Sequence, residues 1–549
     1  MRNYSALQRD RLTFKPVLPL SLNEIHSLIT VKEEILKDVD STIQTLFPLT
    51  KDQSFLTFHS KINTNQKNHP LKIGVLFSGG QAPGGHNVIA GIFDAIKKIN
   101  PHSELIGFLH GFKGLLNNQS ISLNQEIVDS YRNQGGFDMI GSERTKLETL
   151  DQLTTAEKTI RFHQLDGMVV IGGDDSNTNA AFLAEFCKKQ GNSVRVVGVP
   201  KTIDGDLKNE WIEISFGFDT ASKIYSEMIG NLLIDSLSAK KYYFFNRLMG
   251  RSASHITLEC ALQTQVNLAL IGEEIGEASY KLTDIVDQIA DLVCLRSLQG
   301  KDFGMILIPE GLLEFIPECR QLLKELNQFL NTNKIAVHAN GENNHLIQLL
   351  KEQLSDHSFN CFSCFPSSIQ MQLLLDRDGH GNVQLAKIET ERLLMTLVGE
   401  ELEKRRLKKE YQGKFSPVPL YFGYEGRSGL PTNFDCHYCY ALGYVSALLV
   451  QHEATGYIAC IRHLEKPVEE WEPCGVPLTR MMQMEDRGSK NQAVIKKALV
   501  DLKGTAFLDF KEKRKRWETE DVYLCPGPIQ FNEAKFGLNP PISLKHFVK

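Results

Sequence analysis

"GVLFSGGQAPGGHNVIAGI" (Gly74–Ile92) runs an apolar stretch into a cluster of glycines and then into a helical pattern. The apolar residues leading into Phe77 are continuous rather than alternating, which predicts a strand buried on both faces of a parallel sheet. Downstream, "NVIAGIFDAIKKI" spaces its apolar residues as a helix does. Between the two, "SGGQAPGGHN" (Ser78–Asn87) lets backbone amides approach an anion beside a helix N-terminus. The loop is not a P-loop, because His86 and Asn87 follow Gly85 where Lys and Ser/Thr would stand, and its glycine spacing is not the dinucleotide fingerprint. The cation for a bound phosphate must then come from elsewhere. The alternative is that the glycines only make a tight strand-to-helix turn.

The same alternation continues along the chain. "LKIGVLF" (Leu71–Phe77), "GMVVIGG" (Gly167–Gly173), "VRVVGVP" (Val194–Pro200), "NLALIGEEI" (Asn267–Ile275) and "FGMILIPEG" (Phe303–Gly311) read as buried strands. "NTNAAFLAEFCKKQ", "ASHITLECALQTQV" and "LTDIVDQIADLVCLRSL" read as helices between them. The order predicts an α/β fold of doubly wound, mostly parallel sheets. Residues from about 315 to 410 break the rhythm and read as a mainly helical insertion ending in "EELEKRRLKKEYQGK", a solvated helix face. Within it "DRDGHGNVQL" (Asp376–Leu385) begins like a calcium loop, but His380 and Lys387 stand where ligands belong, so a polar turn is expected.

At 549 residues the chain is long enough for about three lobes, or two with a large insertion. Hydrophobic residues at 42%, charged residues at 23% and a formal charge of −5 describe a soluble globular protein without the basic excess of a nucleic-acid binder. No apolar run reaches the ~18 residues of a spanning helix, and the first residues lack a signal peptide's apolar core, so neither a membrane nor a nucleic acid is expected and the cytoplasm is the expected location. Eleven scattered cysteines read as reduced, inert thiols rather than a disulfide framework. "CFSC" (Cys361, Cys364) and "CHYC" (Cys436, Cys439) have zinc-knuckle spacing but lie too far apart in sequence for a compact site.

In open α/β sheets ligands bind beyond the carboxyl ends of the strands, and three further strand ends carry unusual residues. "IGGDDS" (Ile171–Ser176) puts adjacent carboxylates where they repel each other unless a cation is near, which suits Mg²⁺ with water and phosphate completing its shell. Helix capping by Asp174 or Asp175 is the alternative. "VPKTIDGDL" (Val199–Leu207) gathers a lysine, a hydroxyl and two carboxylates, the groups that phosphoryl transfer uses to neutralise charge and accept a proton. "RLMGRSASH" (Arg247–His255) with "PEG" (Pro309–Gly311) adds an arginine suited to an acceptor's phosphate and a glutamate suited to its hydroxyls.

Taken together, "GGQAPGGHN", "GSER", "GGDDS", "PKTIDGDL", "MGRSASH", "PEG" and "YEGRSGLPTNFDC" resemble the phosphofructokinase superfamily, specifically its long, pyrophosphate-dependent branch. The resemblance covers roughly residues 70–310 and 415–450. It implies Mg²⁺-dependent, reversible phosphoryl transfer from pyrophosphate to the C1 hydroxyl of fructose 6-phosphate. It further implies that Gly80 and Arg144 bind pyrophosphate, that Asp174 holds Mg²⁺, and that Asp204 is the catalytic base beside Thr202, Ile203 and Asp206. Met249, Gly250, Arg251 and Glu310 are implied to bind the sugar phosphate, with Tyr424, Glu425, Gly426 and Arg427 closing the pocket.

ATP-dependent relatives carry Gly where this chain has Asp175, and usually Gly where it has Lys201. Asp175 would repel a nucleotide's α-phosphate while Lys201 neutralises pyrophosphate, so pyrophosphate is the expected donor. Lys241 and Tyr242 stand where an arginine serving a neighbouring subunit would be expected; a homodimer sharing its substrate site is one reading, a partly exposed aromatic strand the other. The organisation implied is an N-terminal extension (1–70), a pyrophosphate-binding α/β domain (71–217 plus about 426–475), a sugar-phosphate-binding α/β domain (218–425) holding the insertion, and a C-terminal segment (476–549) packed on both. An ATP-dependent enzyme and a catalytically silent regulatory subunit are the alternatives; the first is opposed by Asp175 and Lys201, the second by the presence of Asp174, Lys201, Asp204 and Arg251.

Overall fold

Six successive residues of the strand Lys72–Ser78 are buried, and strands on both sides pair with it in parallel, Glu104–Phe108 on one and Gly167–Gly172 on the other. This explains the unbroken apolar run: a strand with helices over both faces has no solvent side. The computed structural model describes residues 4–23, 25, 28–33, 40–60, 69–333, 343–375, 383–487, 490–528 and 540–545. Two units emerge, one of Met1–Ile224, Tyr424–Ala498 and Ile529–Lys549, the other of Tyr225–Gly423 and Leu499–Pro528.

Among the described residues the first unit holds a 10-stranded sheet. From edge to edge it runs Leu28–Glu33, Phe55–Ser60, Glu472–Pro477, Tyr457–Arg462, Arg195–Pro200, Gly167–Gly172, Lys72–Ser78, Glu104–Phe108 and Ser120–Ser122, with Ser142–Glu143 pairing beside the end of Lys72–Ser78. The five central strands, from Tyr457–Arg462 to Glu104–Phe108, are parallel, and the register Val75–Val169–Val197 lines up their apolar residues. Antiparallel strands flank them on both sides. Leu76, Met168, Val170, Val196 and Ile458 share one core with Ala180 and Leu183 of the helix Asp174–Lys189. The hairpin Met482–Arg487 with Lys490–Ile495 also belongs to this unit.

The second unit has a four-stranded parallel sheet ordered Leu268–Ala269, Phe303–Pro309, Tyr242–Leu248 and Pro417–Phe422. Here "NLALIGEEI" departs from expectation: only Leu268–Ala269 are strand, and a helix spans Gly272–Glu277. Glu273 and Glu274 fall in its first turn, where a helix N-terminus favours acids that a buried strand would not. The insertion is helical over Pro317–Asn333, Asn343–Gln353, Asp356–Ser363, Ser367–Leu375 and Thr390–Leu407. Its Leu326, Phe362 and Leu394 join the same core as Ile306 and Ile308 of the sheet.

The charged run after Glu400 ends a helix and is mostly exposed; its Arg405 pairs with Glu401 one turn back and with Asp287 and Asp291. The calcium-like loop lies, over residues 376–382, outside the described residues. All eleven cysteines are free, and eight are buried; Cys364 and Cys525 are exposed and Cys294 partly so. Cys361 has Cys319 Sγ at 3.9 Å, and Cys436 and Cys439 are buried within the helix Asn433–Gln451. Among the described residues no helix is long and apolar enough to cross a membrane.

Candidate active site

The strand Lys72–Ser78 ends at Gly79, whose φ of +85° lies in the left-handed region that glycine adopts freely. Gly79 N–H donates to Glu143 O (3.0 Å) and the Ser142 hydroxyl donates to Gly79 O (2.7 Å). The turn is thereby closed against the strand Ser142–Glu143, and the Gly79 amide is engaged within the protein. The space above it belongs to cations: a Cβ on Gly79 would lie 3.3 Å from Lys201 Nζ, and one on Gly80 would lie 3.0 Å from Arg427 Nη2. His86 and Asn87 serve the scaffold instead. Both are buried, His86 against Gln134 O (3.2 Å) and Met139 N–H (3.3 Å), and Asn87 donating to Asn133 Oδ1 (2.7 Å).

Lys201 extends the strand Arg195–Pro200, its N–H donating to Gly172 O (3.0 Å) at the end of the adjacent strand. Only 5% exposed, it loses charge stability to burial first, so its pKa falls to about 8; Asp204 and Asp174 oppose that fall, while Arg427 and Arg144 add to it. Four charged groups therefore act on the Lys201 ammonium. Asp174 and Asp175 occupy the first turn of the helix Asp174–Lys189, where its dipole favours acids.

In the following loop Asp204 N–H donates to Thr202 Oγ1 (3.0 Å) and the Ser215 hydroxyl donates to Thr202 O (3.0 Å). Ile203, between Thr202 and Asp204, is buried. Asp206 is pushed up to about 7 by burial and then by Asp204, with Lys497 opposing and Asp174 adding. The short helix Tyr424–Arg427 leaves Tyr424 and Glu425 exposed, with the Arg427 guanidinium 5.4 Å from the Tyr424 ring centroid. Behind it Asp435 accepts the N–H groups of Gly217 and Thr220, each at 3.0 Å, and the Thr432 hydroxyl donates to Asp219 (2.6 Å).

Two lysines absent from the sequence reading complete this cluster. Lys146 Nζ lies 3.0 Å from Asp175 Oδ2. Lys497 Nζ lies 3.5 Å from Asp174 Oδ2 and 4.0 Å from Asp206 Oδ2. Lys146 follows "GSER" directly enough to have been noticed; Lys497 carries no motif and is brought in only by folding.

In the second unit the strands Tyr242–Leu248 and Phe303–Pro309 end level, Leu248 opposite Pro309. Glu310 N–H donates to Leu248 O (3.0 Å), Met249 N–H to Phe422 O (2.9 Å), and Gly250 N–H to Glu310 Oε2 (2.9 Å). Glu310 is 2% exposed, whereas the Arg251 side chain is exposed. A Cβ on Gly311 would stand 1.9 Å from Arg251 O, so the two turns touch through backbone. Lys241 and Tyr242 stand at the opposite end of this strand, about 20 Å away at ~3.3 Å per residue. There the Lys241 ammonium lies 4.8 Å from the Tyr242 ring centroid, and Tyr242 has φ +78°, a strained value for a bulky residue.

The donor set near Lys201 suits a hard divalent cation. Its ligand atoms are carboxylate oxygens, and Asp206, raised chiefly by burial and then by Asp204 and Asp174, shows these carboxylates near enough to act on one another.

Basic and acidic side chains converging on a glycine turn at the carboxyl ends of parallel strands define a phosphate-handling α/β protein. The family described as Phosphofructokinase matches residues 72–449, and the chain belongs to that family. A pyrophosphate–fructose 6-phosphate 1-phosphotransferase of Porphyromonas gingivalis is 46% identical over 527 residues, covering 96% of each chain. The beta 1 subunit of the Arabidopsis thaliana protein of that name is 48% identical over 528 residues, covering 96% of this chain and 92% of its own. Among solved structures, a pyrophosphate-dependent phosphofructokinase from Nitrosospira multiformis matches with a TM-score of 0.56 over 87% of this chain and 97% of its own; at 13% identity this is a likeness of fold.

Proposed function

We propose that the chain transfers a phosphoryl group reversibly from pyrophosphate to the C1 hydroxyl of fructose 6-phosphate, giving fructose 1,6-bisphosphate and phosphate, as the names of its relatives suggest. The observation that carries this reading is the buried Lys201 among Asp174, Asp204, Arg144 and Arg427. Asp204 takes the proton of the C1 hydroxyl as that oxygen forms its bond to the terminal phosphorus and the bridging P–O bond breaks. Lys201 offers a desolvated ammonium to the charge on the leaving phosphate, and a charge out of water acts more strongly than one in it. Arg144 and Arg427 hold the remaining phosphate oxygens above Gly80. Met249, Gly250, Arg251 and Glu310 hold the sugar phosphate, with Thr202, Ile203 and Asp206 positioning the base.

Asp174 holds Mg²⁺, which supplies charge neutralisation of pyrophosphate when bound. Asp175, paired with Lys146, turns away the α-phosphate of a nucleotide. The protein works as a cytoplasmic homodimer; Lys241 and Tyr242, distant along the strand from Arg251 in their own chain, complete the sugar-phosphate site of a second copy.

The test is formation of fructose 1,6-bisphosphate from fructose 6-phosphate and Mg²⁺ with either pyrophosphate or ATP, beside Asp204→Ala. Turnover with pyrophosphate alone, lost in the variant, is expected. Turnover with ATP alone would overturn the roles of Asp175 and Lys201.

A further inference from the structure

Lys497 is placed by the fold with unusual care for a lysine that no motif announces. The residues around it are stitched to both acid-bearing elements: Ile495 N–H donates to Thr178 Oγ1 (3.1 Å) in the helix that begins at Asp174, and Ala498 N–H donates to Asp206 O (2.7 Å). Between these anchors Lys496 N–H donates to Met481 O (2.9 Å), closing the base of the hairpin. The Lys497 side chain is left 35% exposed with its ammonium 3.5 Å from Asp174 and 4.0 Å from Asp206. An ammonium on a flexible four-carbon stem, fixed at its root and carried by a side chain 35% exposed, can change partners without moving the backbone.

We propose that Lys497 is a donor-side catalytic cation with two successive partners. Before the donor arrives it neutralises Asp174, and so competes with the divalent cation for that carboxylate. When pyrophosphate and the metal bind, its ammonium turns to a phosphate oxygen. The second step rests on the proposed reaction, while the first rests only on Asp174 as the metal ligand.

The two partnerships make predictions of opposite sign, which general damage to the site would not produce. In the unmodified protein and in Lys497→Met, Mg²⁺ alone is titrated by calorimetry, and pyrophosphate is then titrated at saturating Mg²⁺. Removing the competing ammonium should tighten binding of Mg²⁺ alone by about five-fold, the scale of a partly exposed ion pair. Removing a charge-assisted contact should weaken pyrophosphate by about ten-fold. Lys497→Arg, which keeps the charge, should restore both constants to within about two-fold.

Failure of either constant to move in its stated direction overturns the proposal. So does an equally affected Lys497→Arg, because that would mark the residue as packing. If Lys497→Met does not fold, Lys497→Gln carries the same comparison. The metal titration needs no turnover, so an inactive wild-type chain would break the proposed function and still leave the competition at Asp174 decided by binding.

Discussion

The two sets of site residues are built on opposite principles. Around Lys201 the first unit gathers charged side chains from Lys146, Asp174, Asp204, Arg427 and Lys497, segments far apart in the chain, over a floor of two glycines. Around Glu310 the second unit relies on backbone: amides of Met249, Gly250 and Glu310 are each bonded, and Gly311 meets Arg251 through main-chain atoms. A multiply charged anion is recognised by charge, which tolerates small displacements because Coulomb energy falls only as the inverse of distance. Hydroxyls are recognised by direction, which a locked turn supplies. Substitutions should therefore divide, donor binding responding to charge and recognition of the acceptor's hydroxyls to shape.

The largest expected break is Lys201→Met. Losing a buried, preorganised cation should lower kcat with pyrophosphate by about 10²–10³-fold while leaving the KM for fructose 6-phosphate within about two-fold. Steady-state kinetics with each substrate varied separately decide it; an equal loss in both would mean that the two sets are not separable. Gly311→Ala comes next and works the other way. The added methyl would sit 1.9 Å from Arg251 O, and because backbone cannot swing aside, the turn must shift. The KM for fructose 6-phosphate should rise by about ten-fold or more, with a stability loss of about 2 kcal/mol in denaturant unfolding, and pyrophosphate affinity should hold.

What the sequence disclosed follows the same division. Buried parallel strands are continuous apolar runs, so "GMVVIGG" and "FGMILIPEG" are legible at once, and loops at their carboxyl ends are where chemistry is sought. "NLALIGEEI" misled because a short apolar run does not state whether the next turn is strand or helix. The strand Glu472–Pro477 was illegible for another reason: Pro473 and Pro477 argue against a strand with neighbours on both sides, yet it pairs with Phe55–Ser60 only at Cys474 and Gly475, between them. In the site, Asp174, Lys201 and Asp204 are legible because they stand in loops that follow buried strands, and the family resemblance implies their roles. Lys497 does not, because an ion pair between distant segments leaves no periodic trace; only the hairpin's attachment to Thr178 and Asp206 discloses it.

A smaller effect sharpens the contrast between side-chain and backbone limits. At Gly80 the added Cβ would meet the end of a flexible arginine at 3.0 Å rather than a carbonyl. Arg427 can withdraw by a rotamer change, so Gly80→Ala should raise the KM for pyrophosphate about three-fold and leave stability within about 0.5 kcal/mol. A loss of stability as large as that of Gly311→Ala would show that the glycine floor is as rigid as the turn at Gly311.

The smallest effect tests the charge principle most directly, through its dependence on salt. Lys146 and Asp175 are 3.0 Å apart, but their side chains are 29% and 41% exposed, so the pair lies in partly screened surroundings and its contribution is modest. In Lys146→Met, Asp175 loses the ammonium 3.0 Å away and repels pyrophosphate more strongly. The KM for pyrophosphate should rise about two-fold at low ionic strength, and the difference from wild type should shrink towards nothing near 1 M salt, where the screening length is about 3 Å. Adding Asp175→Asn should remove most of the penalty, since the repelling charge goes with its partner. The Gly311→Ala defect, being steric, should be indifferent to the same salt series. A salt-independent Lys146→Met defect would instead assign Lys146 to packing and take charge recognition away from that corner of the cluster.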